Sequence, residues 1–551
     1  MKTAFLPMLA ISATLANPIL KVGLITDTHV TPKESSAKLV RMAYEFFRDQ
    51  NVDAIANIGD IADRYFPEAY AHIRKAYDET FQNSEKPREM FVYANHDRID
   101  RDNWEEAFQD VKRLLGNTND IYDTIVLKGF PFVIMPQFAD SVKYEEILKK
   151  NSEQFPGKPI FLLDHVPAFD TVYNSQVWGS RRSRTILENF PQIIQLSGHV
   201  HGSLRNELNI WQGGFTVVNC GGLAYWGGML FGIAPKNKYS DEVIVMEVHA
   251  NQVVFRRFSL STREEINPDQ PWTVTYPYDP SNPTYSPAIR KEKSQTPAFA
   301  QNAKLTLTPQ GIPCSELRIQ APTATHPLGV FKYVFKVAKR DQQGNWIDFA
   351  LKEEFGDFHI PPSQPRESTT MAFSSGHFAP ETEYRFSVTA QDFYGNESST
   401  LYETWKAPEL ASGKMTFENK NPMQELKFLS GLADGNPLPI EDGFYFHKGG
   451  NARLEIPDEA WDVPAGTKFR FTIDLQFKQN TNATWTMVLR NPTPLTNANA
   501  RIHTPPGDLG IQRHVIEFTK RDKDFKYYFL LREGDPGYVK FNYVKVEILP
   551  E

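Results

Sequence analysis

Leu20-Lys21-Val22-Gly23-Leu24-Ile25-Thr26-Asp27-Thr28-His29 sets the pattern for the first half of the chain. A short apolar run of strand length ends in a carboxylate and an imidazole two residues apart. Residues i and i+2 of an extended segment point to the same side, so Asp27 and His29 can address one cation. The arrangement recurs four times further on. Asp53-Ala-Ile-Ala-Asn-Ile58 runs into Gly59-Asp60-Ile61-Ala62-Asp63-Arg64, and Met90-Phe-Val-Tyr93 into Ala94-Asn95-His96-Asp97. Pro159-Ile-Phe-Leu-Leu163 is followed by Asp164-His165, and Ile193-Ile-Gln-Leu196 by Gly198-His199-Val200-His201-Gly202. Helical patterns lie between these strands. Ser36 to Gln50 carries Leu39, Met42, Ala43, Phe46 and Phe47 at helical spacing, and Pro67 opens a second helix. The alternation predicts an α/β domain over about 20–262. In such sheets ligands collect in the loops beyond the strand ends.

Any one of these clusters has a bland explanation. A lone Asp-x-His is usually a turn, and a lone buried histidine usually a satisfied core residue. Five clusters, each just after a strand, outweigh that reading. The chain has 13 histidines. Within the first domain His29, His96, His165, His199 and His201 fall in the clusters, and only His72 and His249 lie outside them. Carboxylate and imidazole together suit Mn, Fe or Zn, whereas Mg or Ca would favour oxygen throughout. Gly59, Gly198 and Gly202 allow close backbone approach.

As an ordered set, D-x-H, G-D-x-x-D-R, N-H-D, a single His and G-H-x-H, the segments from Asp27 to His201 resemble the calcineurin-like metallophosphoesterase family. Ala94 stands where that pattern usually has glycine. The resemblance implies a four-layer αββα sandwich and two divalent metal ions. It implies Asp27, His29 and His201 on one ion, Asn95, His165 and His199 on the other, and Asp60 bridging them. Among the catalytic residues, it places His96 near the leaving oxygen as general acid, Asp63 orienting its imidazole, and Arg64 on a phosphate oxygen. The implied reaction is attack of a metal-activated hydroxide on phosphorus. Phosphomonoesterase and phosphodiesterase activity both fit, and the substrate is a small-molecule, glycan or lipid phosphate ester. Asp97 either caps a turn or supports the site from behind; the turn cap is the reading taken.

Val218-Asn-Cys-Gly-Gly-Leu-Ala-Tyr225-Trp226-Gly-Gly228 forms either one wall of a cleft or a structural loop, with Cys220 as a small packed residue. Seven prolines between 268 and 297 read as a semi-rigid linker, or as a strap lying on a neighbour, over about 263–299. Residues 300–407 are predicted to be all-β, since Tyr384, Phe386, Val388 and Ala390 alternate with polar residues. Pro380 to Asn396 resembles the late strands of a fibronectin type III module. Residues 411–551 read as a second β-sandwich, jelly-roll-like, in which Phe469, Phe471, Ile473, Leu475 and Phe477 alternate. Trp461, Trp485, Tyr527 and Tyr528 fit either sugar stacking or core packing.

A chain of 551 residues is too long for one core. Its net charge of −7 comes without a basic run, which argues against a grip on nucleic-acid backbone. Residues 1–16 read as a signal peptide, cleaved after Ala16, and predict export to the periplasm or medium; without that function the chain would be cytoplasmic. No other stretch approaches the roughly 20 apolar residues of a membrane span. Cys220 and Cys314 lie in different predicted domains, so no disulfide framework is expected. The rival expectation is an exported glycan-binding or adhesion protein with a non-catalytic phosphoesterase-like domain. The complete ligand set argues against it. The sequence leaves the oligomeric state open.

Overall fold

The computed structural model describes residues 17–550, apart from 99–102, 117, 228–240, 311–315, 341–342, 357, 360–365, 375–377, 379, 411, 431–434, 449–451, 462–463, 478–482, 491–495, 504–510, 521–525 and 535–536. The signal-peptide expectation and Cys314 therefore lie outside the described residues.

The N-terminal domain is an α/β domain with two facing sheets. Its elements run β1 (Leu20–Ile25), α1 (Lys38–Asp49), β2 (Ala54–Asn57), α2 (Pro67–Thr80), β3 (Arg88–Phe91), α3 (Asn95–Arg98) and α4 (Trp104–Leu114). Then come β4 (Asp123–Leu127), β5 (Phe130–Met135), α5 (Ser141–Gln154), β6 (Ile160–Asp164), α6 (Ser175–Trp178), α7 (Arg181–Leu187) and β7 (Ile193–Ser197). β8 (Ile210–Gln212), β9 (Thr216–Asn219), β10 (Glu242–Val248), β11 (Gln252–Ser259), β12 (Glu265–Ile266) and β13 (Trp272–Thr275) complete it. The first sheet has the order β12-β11-β10-β1-β2-β3, with β13 also beside β11; the second is β4-β5-β6-β7-β9-β8. β1, β2 and β3 are parallel, as are β5, β6, β7 and β9.

Strand periodicity explains the layers. Leu20, Val22 and Leu24 of β1 meet Phe132, Phe161, Leu163 and Leu196 of the other sheet in one core. Ile25 and Ile55 turn the other way, towards Phe46, Phe47, Tyr70 and Ile73 of α1 and α2. On the second sheet Val133, Ile160 and Leu162 pack on Tyr144, Leu148 and Leu187 of α5 and α7. Helices thus cover both outer faces.

The proline-rich stretch behaves as a strap. Its start supplies β13, hydrogen-bonded to β11 from Gln252↔Thr275 to Phe255↔Trp272. Further on, α8 (Pro287–Lys293) lays Arg290 against the buried carboxylate of Glu207 at 3.0 Å. Glu207 also takes Arg257 Nη1 at 2.8 Å and Trp272 Nε1 at 2.8 Å.

From Thr306 to Lys406 the chain forms a three-stranded and a four-stranded antiparallel sheet. Leu317 and Ile319 of the first share a core with Tyr333, Phe335, Phe386 and Val388 of the second. The last region has a six-stranded and a five-stranded sheet, joined where Phe428 and Leu454 meet Phe469, Phe471 and Phe541. Along Lys468–Phe477 the polar alternates Arg470, Thr472 and Asp474 are buried as well. This strand is paired on both sides, and Glu517 and Arg513 from its neighbour cover Arg470 and Asp474 with ion pairs. The side chains of Trp461, Trp485, Tyr527 and Tyr528 lie outside the described residues. No described helix is long and apolar enough to cross a membrane.

Candidate metal centre

The carboxyl ends of the parallel strands converge, and each brings a loop. Asp27 and His29 follow β1, Asp60 follows β2, Asn95 and His96 follow β3, His165 follows β6, and His199 and His201 follow β7. Asp27, His29, Asp60, His199 and His201 all hold left-handed backbone, with φ of 50°, 40°, 48°, 68° and 48°. Such conformations cost on the order of 1–3 kcal/mol each for residues with a side chain and cluster where function requires them. They fold each loop back so that its side chains reach the same point. Two glycines make room. A Cβ on Gly198 would stand 2.4 Å from Asp27 Oδ2, and one on Gly59, itself at φ 95°, would stand 2.6 Å from His165 Nδ1. The methyl of Ala94 is buried against Gly59.

Among the described residues ligating atoms gather in three sets, within 4.8 Å inside each: Asp27, His29 and His201; Asp60, His165 and His199; and His29, Asp63 and His96. The Nδ1 of His165 donates to the Ile58 carbonyl at 2.7 Å, and that of His201 to the Tyr225 carbonyl at 3.1 Å. A carbonyl only accepts, so both rings turn Nε2 inward. Those Nε2 atoms lie 3.1 Å from Asp60 Oδ2 and 3.1 Å from Asp27 Oδ1. An imidazole lone pair facing a carboxylate at that distance is repulsive unless a proton or a cation sits between them. Two further ligating atoms, His29 Nδ1 and Asn95 Oδ1, are buried without a hydrogen-bond partner among the described residues. The mixed carboxylate, imidazole and amide-oxygen set fits divalent transition ions.

The charges agree with this chemistry. Burial works to raise the pKa of Asp27, but His201, His165 and His29 outweigh it and hold the carboxyl below the usual range. Asp60 is likewise lowered against burial by His165. Burial lowers His29 to about 4, and burial with the neighbouring His165 lowers His199 to about 4, so both present neutral lone pairs. His165 is pushed up to about 10 and His201 is also raised, Asp60 and Asp27 overcoming burial, so without a metal ion the space between each Nε2 and its carboxylate favours a proton, which a cation must displace.

His96 is aimed by Asp63, through the main chain: His96 Nδ1 lies 2.7 Å from the Asp63 carbonyl oxygen. The Asp63 carboxylate faces His29 Nδ1 at 3.6 Å instead. The backbone N–H of His96 donates to Asp60 Oδ1 at 3.0 Å, and its ring meets His29 edge-on at 4.6 Å. Arg64 is solvent-exposed next to Asp63.

Asp97 does more than cap a turn. It is fully buried and accepts from Ile61 N at 3.3 Å, Ala62 N at 3.1 Å, Ala94 N at 3.3 Å and Tyr70 Oη at 3.0 Å. It thereby ties the Asp60 loop to the Asn95 loop. Asp164, beside His165, points away from the metal ligands and accepts from Tyr144 Oη at 2.7 Å and Gln195 Nε2 at 3.1 Å. Tyr225 and Trp226 separate. Tyr225 stacks on His201 at 4.2 Å, whereas Trp226 packs against Phe355 and Phe358 of the middle region at 5.8 and 5.9 Å. Trp178, which no sequence signal marks, meets His199 at 6.0 Å.

Residues 20–203 match the calcineurin-like phosphoesterase family. No curated protein matches the chain. Among solved structures, purple acid phosphatase PPD1 from yellow lupin (Lupinus luteus) seeds shares 13% identity over 46% of this chain, with a TM-score of 0.32. This chain covers 53% of the length of the lupin protein, about half. The tandem CBM22-1-CBM22-2 domain of Paenibacillus barcinonensis Xyn10C aligns with 47% of this chain and 96% of its own, at 11% identity and a TM-score of 0.17. The carbohydrate-binding module of Cellvibrio mixtus lichenase 5A covers 25% of this chain and 99% of its own, at 10% identity and a TM-score of 0.14. The candidate ligand sets lie wholly inside the matched span, and Tyr225 and Trp226 lie beyond it.

Proposed function

We propose that this chain hydrolyses phosphate esters, monoester or diester, at a dinuclear metal centre in its N-terminal domain. One observation carries the reading: two buried carboxylates, Asp27 and Asp60, each face an inward imidazole Nε2 at 3.1 Å within clustered ligand loops. Asp27, His29 and His201 would hold one ion, Asn95, His165 and His199 the other, with Asp60 between them. When bound, the ions supply charge neutralisation of the phosphate oxygens and lower the pKa of the attacking water. The protein's own groups do the rest. His96, its Nδ1–H held by the Asp63 carbonyl, gives the Nε2 proton of its imidazolium form to the leaving alkoxide. Asp63 also backs His29, and Arg64 reaches a phosphate oxygen. Asp97 keeps the Asp60 and Asn95 loops in register. The middle region, with its three-stranded and four-stranded sheets, acts as a fibronectin type III-like brace, and the last region as a second sandwich.

Full-length protein purified with Mn or Zn is assayed for metal and for turnover of an aryl phosphate. About two ions per chain, with turnover, is the expected result. Metal-free protein after that treatment overturns the reading.

A further inference from the structure

Two large aromatic side chains stand exposed, each against a histidine of a different ligand set. Tyr225 is 41% exposed and Trp178 is 44% exposed. Tyr225 stacks on His201, the planes 22° apart, and its ring also lies 5.1 Å from that of His29. Trp178 meets the ring of His199 edge-on. The two sets adjoin: Asp27 lies 3.1 Å from His201 Nε2 and 3.8 Å from His165 Nε2, and the His165 ring lies 5.2 Å from that of His199.

Neither ring serves the core of the N-terminal domain. Each leans on a candidate ligand imidazole and keeps part of its surface exposed. Tyr225 is further fixed because the next residue, Trp226, is locked among Phe355, Phe358 and His359 of the middle region. A wall anchored in this way loses little freedom when a ligand stacks on it. Val177, next to Trp178 and 62% exposed, widens the apolar rim.

We infer that Tyr225 and Trp178 form a stacking subsite which selects phosphate esters carrying a planar aromatic substituent, a nucleoside base or an aryl group. The inference rests on the phosphoesterase reading, and it names the class of substrate. Stacking of a flat ring on an aromatic side chain tolerates any π-face and changes affinity roughly 5- to 100-fold.

The test uses Mn-loaded full-length protein titrated calorimetrically with phenylphosphonate and with ethylphosphonate. The two share a head group and lack a hydrolysable ester. Phenylphosphonate is expected to bind roughly tenfold more tightly. Trp178→Ala and Tyr225→Ala should each shrink that preference, the double variant should abolish it, and Trp178→Phe should retain most of it. Metal content, measured on every variant, should match wild type. Equal affinities in wild type overturn the inference, as does a preference that survives in the double variant. Hydrolysis of phenyl phosphate and of diphenyl phosphate by the same preparations is a separate reading. Preference without turnover of either ester keeps the subsite and rejects the esterase; turnover without preference rejects the subsite alone.

Discussion

The Asp63 carbonyl oxygen, 2.7 Å from His96 Nδ1, orients the candidate general acid, while the Asp63 carboxylate sits 3.6 Å from His29. One residue therefore serves two histidines with two different groups, and substitution separates them. His96→Gln is expected to leave metal content unchanged and to slow a poor leaving group by roughly 10²–10⁴-fold, with a smaller effect on an activated aryl ester. Asp63→Asn keeps the carbonyl and so keeps His96 in place. Its cost falls on His29, as a loss of metal affinity of roughly 10–100-fold, the usual range for a partner behind a ligating histidine. Metal titration beside rates on two leaving groups checks both. An Asp63→Asn enzyme with the leaving-group dependence of His96→Gln would show that the carboxylate is what matters.

Asp60 is expected to behave differently from either. Its two oxygens face His165 Nε2 at 3.1 Å and the His96 backbone N–H at 3.0 Å. Asp60→Asn removes the charge between the two ligand sets. Metal occupancy and turnover should fall together, to the same extent for good and poor leaving groups. Elemental analysis of the purified variant decides it, and a variant with full metal content contradicts the bridging role.

Glu207 holds the strap to the domain. Its carboxylate meets fully buried Arg257 at 2.8 Å, Arg290 at 3.0 Å and Trp272 Nε1 at 2.8 Å. Glu207→Ala strands a buried guanidinium, a change that costs about 3–5 kcal/mol. A clear fall in urea midpoint is expected. Replacement of a surface acid such as Glu153 should change it by about 0.5 kcal/mol or less. A Glu207→Ala midpoint within error of wild type would refute this account of the strap.

His359 lies beside Trp226 in the contact between the N-terminal and middle regions, ring centroids 5.3 Å apart. Burial, with Arg366 and Arg205 nearby, lowers it to about 4 from the usual 6.5. Its folded pKa is below the unfolded one, so the unfolded chain takes up the proton first on acidification. The stability tied to neutral His359 is present above pH 6.5 and drains away as pH falls towards 4, by up to about 3 kcal/mol. Melting temperatures of wild type and His359→Leu across pH 7.5 to 4.5 test this. The candidate metal centre is the same in both proteins, so the wild type should show the steeper loss. Parallel curves would disprove the contribution.

Much of the N-terminal domain is legible in one dimension because a strand reports its own period. Leu20, Val22 and Leu24 alternate, and the ligands sit directly after the apolar runs, so sequence alone delimits the loops that carry Asp27, His29, Asp60, Asn95, His165, His199 and His201. The helical spacing from Ser36 to Gln50 likewise marks a helix, which the structure places at Lys38–Asp49 after a 3₁₀ turn from Glu34 to Ala37. These are local properties, set by residue spacing and by the apolar face each element must bury.

What tertiary structure alone decided involves contacts between segments remote in sequence. Nothing in Asp63 announces that its carbonyl rather than its carboxylate will hold His96, since that depends on how two loops meet. Asp97 reads as a turn residue until Ile61, Ala62 and Tyr70, from another strand-loop-helix unit, bring it their hydrogen-bond donors. Tyr225 and Trp226 are neighbours with similar side chains, yet one faces His201 and the other a different sheet. The prolines from 268 onwards signal stiffness but not what the stiff segment lies on; the pairing of β13 with β11 and the buried Glu207 decide that. A sequence specifies periodicity and chemistry at each position, whereas the partner of a side chain is fixed only when the layers pack and each buried polar group must find one.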